Sequence, residues 1–377
     1  MSSQPTTTPT QQPTRKPSST LTALSILTVL IAVSLAFFIG YNTNNNNSNN
    51  NKTTEEHHPT SQTANLFGLK RFFTSTPPIS REISKTAASR KTAGGSSERM
   101  SRTPIYFLSH GGPNVMYQTD HPAYKKLGQI GKEITTKVKP KAVVVFSAHW
   151  QAGRDTIQVN TAEITDLIYD FYGFPSHYYK EKYPNVGSRE VANKVLDLLG
   201  KAGIKAEGVK RGLDHGVWAS FKCAFEPESN PLNVPIVQVS LFNNEDPVAH
   251  YRLGQAVSSL RDENVLIIVS GMAVHNLRDL WFSMNDSRPL PYTTSFDEAL
   301  KKAATAPPAE REQAMTDLLK RPDARQAHPT FDHLLPIHIG AGAAGDDVGK
   351  RLWTMGEGSM SWAQFRFGQV ANSSSSL

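Results

Sequence analysis

The residues best able to do chemistry in this 377-residue chain are histidines, and several follow strongly apolar runs. Pro104–Ser109 leads to His110, Ala142–Ser147 leads through Ala148 to His149, and Val265–Ser270 leads through Gly271-Met-Ala-Val to His275. Runs of β-branched and aromatic residues bounded by Ser and Gly read as buried strands of a parallel sheet. Ligands in open α/β sheets collect beyond the carboxyl ends of the strands, so histidines reached through small-residue turns there can share one point. Imidazole offers a neutral nitrogen lone pair, while its second N–H can be oriented by a neighbour. Three such groups with one position left open suit catalytic zinc or ferrous iron, so one divalent metal ion, Zn2+ or Fe2+, is expected.

Other histidines compete for roles. His333, in Phe331-Asp-His-Leu-Leu-Pro336, is a further candidate ligand, and His328 and His338 flank it as alternatives. His215, in Leu213-Asp-His-Gly-Val-Trp218, reads as a polar loop residue able to move a proton at neutral pH, with Asp214 not necessarily its partner. His57 and His58 fall in a linker, His121 and His177 in loops and His250 on a helical surface, so none of these is assigned to the centre. Tyr169–Pro175 concentrates aromatic rings that either pack a core or wall a pocket for a flat substrate. Gly340-Ala-Gly-Ala-Ala-Gly345 superficially resembles a dinucleotide-binding loop, but its context after Pro336-Ile-His-Ile is wrong for one.

The elements that must carry these residues are strand-like runs at 104–109, 142–147, 156–160, 204–210, 235–242 and 265–270. Helical patterns at 122–137, 187–201, 247–261 and 295–320 are interleaved with them. That alternation predicts an α/β fold: one globular domain over 103–368 with a central, largely parallel or mixed sheet flanked by helices. The single cysteine, Cys223, excludes a disulfide framework and any multi-thiolate metal site. Its setting in Trp218–Phe225 alternates like a packed helix face, which makes it a small buried hydrophobe.

The formal charge of +7 belongs to the leader, because residues 1–99 carry ten Lys/Arg against four Asp/Glu and the remainder thirty against twenty-nine. A nearly neutral main domain offers no footprint for phosphate backbones, so no nucleic-acid partner is expected. Residues 1–20 have the composition of a disordered segment, and 21–41 lack charge over a length that spans a bilayer as a helix. Arg15 and Lys16 before that stretch predict a cytosolic N-terminus and a single membrane anchor. The Asn-rich, then basic stretch 42–102 reads as a disordered linker, and 369–377 as a disordered tail. Leu66–Thr76 and the basic residues after it are similar to a mitochondrial presequence, and Met100 precedes the first strand. A shorter product would then be mitochondrial or cytoplasmic.

Taken in order, Ser109-His-Gly-Gly-Pro113, Val145-Phe-Ser-Ala-His-Trp150, Asp170-Phe-Tyr-Gly-Phe-Pro175, Leu213-Asp-His-Gly-Val-Trp218, Ser270-Gly-Met-Ala-Val-His-Asn276, Asp332-His-Leu-Leu-Pro336 and Gly358-Ser-Met-Ser361 carry a resemblance. From about 103 to 368 the chain resembles the class III extradiol ring-cleavage dioxygenases (LigB-like superfamily), in their 4,5-DOPA extradiol dioxygenase-like branch. The resemblance implies that His110, His149 and His333 bind the metal, with His275 beside it as fourth ligand or acid–base. His215 would handle protons. Related enzymes often hold Fe(II) with two histidines and a glutamate, whereas the third position here is His333 and this branch is often associated with zinc. A small catechol-like substrate and O2 are the implied partners. A zinc hydrolase remains the second enzyme class, since three histidines with an open position also activate water near pH 7. A binding protein of the Memo kind, similar in fold, is the non-enzymatic alternative.

Overall fold

The computed structural model describes residues 102–283 and 286–370. The expected segments 1–20 and 21–41, nearly all of the linker 42–102 and most of the tail 369–377 lie outside the described residues. Among the described residues no helix is long and apolar enough to cross a membrane.

Strand β1 (Ile105–Ser109) is buried on both faces, and its alternate side chains enter two different cores. Ile105 and Phe107 pack on one side, Tyr106 and Leu108 on the other, as the strand's two-residue period requires. The same holds for β2 (Ala142–Gln151), β5 (Ile236–Leu241) and β6 (Val265–Gly271), whose near-continuous apolar sequences suit interior strands. With β3 (Ile157–Asn160), β4 (Ala206–Val209), β8 (Gly349–Trp353) and β11 (Gln364–Phe367) they form an eight-stranded sheet in the order β4-β3-β5-β2-β6-β1-β11-β8. The pairs β2–β5, β2–β6, β1–β6 and β3–β4 are parallel, while β3–β5, β1–β11 and β11–β8 are antiparallel, so the sheet is mixed.

One face is covered by α1 (Pro122–Glu133), which continues in a wide turn over Ile134–Val138, and by α3 (His215–Ala224). The other carries α2 (Arg189–Lys201), α4 (Pro247–Val257), α6 (Pro291–Ala304), α7 (Pro308–Leu318) and α9 (Leu335–Ala343). Shorter helices α5 (Leu277–Ser283) and α8 (Ala324–Ala327) lie between them in sequence. Helix α2 shows how sequence fixes an element. Ser188 caps it by accepting from Val191 N, and Ala192, Val195 and Leu199 recur at helical spacing to bury one stripe.

Some expectations change. The helix expected over 295–320 is two helices, because Pro307 and Pro308 lack the N–H groups that would continue α6. His250 is fully buried in α4, its Nδ1–H donating to Asp246 O at 2.8 Å, and is not a surface residue. Gly340–Gly345 forms the end of α9 and its exit turn, packed against the sheet. A second sheet, β7 (Val274–His275), β10 (Met360–Ser361) and β9 (Gly356–Glu357), was not expected, since strands of two residues have no legible period.

Candidate metal centre

The pairing of β6 with its neighbours β1 and β2 ends at nearly one level: Ser109 pairs with Gly271, and Ser147 with Ser270. His110 leaves β1 at that level. His149 does not follow a turn as expected, because β2 continues past Ser147 to Gln151 with its register shifted between Phe146 and Gln151. An irregularity of this kind re-aims side chains near a strand's end. His333 arrives from the turn before α9. Its carbonyl accepts from Met272 N at 2.9 Å and lies where a Cβ on Gly271 would be, 2.2 Å away. Only glycine admits that backbone approach.

These elements bring three imidazoles together. Nε2 of His149 lies 3.2 Å from Nε2 of His110 and 3.2 Å from Nε2 of His333. Each Nδ1 is tied outward. His149 Nδ1 meets Asp170 Oδ2 at 3.0 Å, and His333 Nδ1 meets Asp332 Oδ2 at 2.9 Å. His110 Nδ1 lies 2.9 Å from Ser270 Oγ, whose own hydrogen is donated to Gly216 O. Every Nδ1 is therefore a donor and every Nε2 a bare lone pair turned inward. Among the described residues no protein donor is hydrogen-bonded to these lone pairs, so the arrangement fits a cation. Tetrahedral zinc with N bonds of 2.0–2.1 Å places ligand nitrogens about 3.3 Å apart, and octahedral geometry about 3.0 Å, so the spacing admits either metal.

The electrostatics of the cluster differ from ring to ring. Burial, reinforced by the neighbouring histidines, holds the His110 pKa well below its ordinary value. Burial also disfavours a charge on His149, but the Asp170 hydrogen bond and charge outweigh it and raise its pKa. Asp170 and Asp332 are both held far below the usual carboxylate range against burial, the former chiefly by His215 and His149 and the latter by His333.

His215 begins α3 beside this cluster. Its Nδ1 meets Asp170 Oδ1 at 2.9 Å, and its ring centroid is 4.1 Å from that of His149. One carboxylate thus orients both a cluster histidine and His215. The adjacent Asp214 is fully buried and serves other partners: Ser147 Oγ, Arg211 and Gln238. His275 stacks flat on His333, centroids 3.7 Å apart and planes 8° apart, and is not one of the three histidines whose nitrogens converge. Burial and His333 keep its pKa well below the ordinary value.

The remaining histidines among the described residues lie elsewhere, and His57 and His58 fall outside the described residues. His328 Nε2 donates to Ala273 O at 3.0 Å, and His338 Nε2 to Met315 O at 3.0 Å. His121 caps α1 and His177 lies in the short 3-10 turn Ser176–Lys180. Cys223 is buried, with its thiol pushed up to about 12 by burial, as a packed hydrophobe should be. Phe171 sets its ring at 5.5 Å against His215, so part of the aromatic stretch 169–175 does border the centre. The orienting groups Asp170, Asp332 and Ser270 were not singled out from sequence. Each lies inside one of the motifs that carry the family resemblance, Asp170 in Asp170–Pro175, Asp332 in Asp332–Pro336 and Ser270 in Ser270–Asn276.

Residues 99–365 match the family model described as the catalytic LigB subunit of aromatic ring-opening dioxygenase. The chain is 37% identical over 284 residues to a Beta vulgaris protein named 4,5-DOPA dioxygenase extradiol, covering 72% of this chain and 98% of that one. An Escherichia coli protein of the same name is 33% identical over 245 residues, covering 64% and 85% of the two chains. A crystal structure of an uncharacterized E. coli K12 protein superposes with a TM-score of 0.58 at 29% identity, covering 71% of this chain and all of that one. With strand ends that gather histidines and a match spanning the described domain, the chain belongs to the LigB-like class III extradiol dioxygenases, in the 4,5-DOPA dioxygenase branch.

Proposed function

We propose that this ring-cleaving dioxygenase is metal-dependent and opens a catechol-like ring with O2, its metal held by His110, His149 and His333. The observation that carries the reading is the convergence of three Nε2 lone pairs, that of His149 lying 3.2 Å from those of both His110 and His333, each ring fixed by an outward Nδ1 hydrogen bond. Bound ferrous iron supplies a path for electrons from a diol to O2, which redox-inert zinc does not. The protein's own part is to hold the substrate and manage its protons. Asp170 accepts from His215 Nδ1, which leaves Nε2 of His215 to take the proton of an incoming hydroxyl and return it later. His275, stacked on His333, is the second group placed for proton work. Phe171 against His215 limits water on that side.

The test is to load the full-length chain with Fe(II) or Zn(II) without oxygen, then add catechols and air. Iron-dependent oxygen uptake with a coloured ring-opened product is expected. Hydrolysis of esters or amides with zinc and no oxygen uptake would replace this reading with a hydrolase, and binding without turnover under either metal with a Memo-type role. His110→Ala, His149→Ala and His333→Ala should each abolish bound metal. His215→Ala should keep the metal and slow turnover about 10²–10⁴-fold, the usual worth of a general acid–base group.

A further inference from the structure

We infer that Glu357 is a specificity-determining residue, a fixed carboxylate at the rim of the centre that selects substrates carrying a cationic amine beside the catechol. The inference rests on the catechol reading above and concerns the end of the substrate away from the diol.

Two independent routes place Glu357 there. In the small sheet, His275 pairs directly with Met360, and Met360 directly with Glu357. Directly paired residues of antiparallel strands share a face, so the Glu357 side chain leaves the sheet on the same side as His275, two strands or about 10 Å away. On the other route, the Trp362 ring lies against Gly111, the residue after His110, so closely that a Cβ there would be 2.0 Å from the indole. The N–H of the same indole donates to Glu357 Oε2 at 2.9 Å. That separation is of the order of a catechol with a short side chain.

The hydrogen bonds leave one oxygen of the Glu357 carboxylate available. His121 Nδ1 accepts from Ala123 N at 3.2 Å, so its proton sits on Nε2, which faces Glu357 Oε2 at 3.3 Å. His121 Nε2 and the indole N–H thus both donate to one oxygen of the carboxylate. Among the described residues, neither Lys nor Arg lies within ion-pair distance of it. Its side chain is 41% exposed, whereas Trp362 is 7% exposed. A latch for Trp362 would need only the bonded oxygen; the uncompensated charge is the surplus that a substrate ammonium would meet.

The test measures equilibrium binding, without oxygen, to the full-length zinc-loaded chain by calorimetry, using dopamine, ethylcatechol and dihydrocaffeate as cationic, neutral and anionic probes. Wild type should bind dopamine about tenfold tighter than ethylcatechol, the effect of one charge-assisted contact at a half-exposed site, and dihydrocaffeate weakest. Glu357→Gln retains an acceptor for Trp362 and His121, so it should erase the dopamine preference while ethylcatechol affinity stays unchanged. Equal wild-type affinities for dopamine and ethylcatechol overturn the inference without any variant, as does a Gln variant that weakens both alike. Absence of binding by every catechol overturns it together with the catechol reading. Charge-selective binding without oxygen uptake on iron loading sinks that reading alone.

Discussion

Asp170 is the carboxylate on which two histidines depend, and its two oxygens are both committed, one to His149 and one to His215. Asp170→Asn replaces one acceptor by an NH2 group, which would face a ring N–H and leave one histidine unoriented. Metal affinity should fall about 10–100-fold, as for other orienting partners of ligand histidines, when measured by competition with a chelator. Unchanged affinity would show that His149 is oriented by packing alone. At this scale the sequence was a good guide to the histidines that converge and a poor one to the groups that orient them. His110, His149 and His333 carry their chemistry in their type. Asp170 reaches His215 across 45 positions, while Asp214, its neighbour in the chain, turns away to Ser147 and Arg211.

Among the elements, β6, the strand that leads towards the candidate His275, acts as a support. Its Ser270 holds His110, and its Gly271 receives the backbone of His333. Gly271→Ala would drive a methyl into the His333 carbonyl, an overpacking that costs about 1–3 kcal/mol, with no ligand side chain altered. The expected outcome is a lower melting temperature together with loss of bound metal. A variant that keeps full metal content would show that the turn before α9 can move without moving the imidazole. Strands β1, β2 and β6 were legible because long β-branched runs leave one reading. The small sheet and α9 were not, because pairs of residues have no period and a helix of Leu, Ile, Gly and Ala is apolar all round.

For the molecule as a whole, three histidines outside the centre are buried neutral. His250, His328 and His338 are each lowered by burial to about 4 from an ordinary value of 6.5. His250 Nε2 and His328 Nδ1 are buried without a hydrogen-bond partner, so a proton there would find no acceptor. The unfolded chain binds these protons near pH 6.5 and the folded chain only near pH 4, so the stabilisation is full above that window and is lost as pH falls through it. By linkage each group is worth about 3 kcal/mol, a large part of a typical domain's stability. Metal-free protein should therefore show a denaturation midpoint that is steady above pH 7 and drops steeply between about 6.5 and 4. A midpoint flat down to pH 4 would contradict it. His338→Gln should reduce the slope by about 1.4 kcal/mol per pH unit, the effect of one proton fewer.

Residue type and local pattern by themselves determined the α/β class, the buried strands, the histidine candidates, the absence of a thiolate site and the resemblance to ring-cleaving dioxygenases. Those properties depend on neighbours a few positions apart, which a sequence records directly. Tertiary structure alone decided that His275 stacks flat on His333, that Asp170 serves two histidines, and that Glu357 shares a face with His275. Each is a matter of strand register and backbone approach between segments far apart in the chain, and a shift of one residue in register turns a side chain to the opposite face.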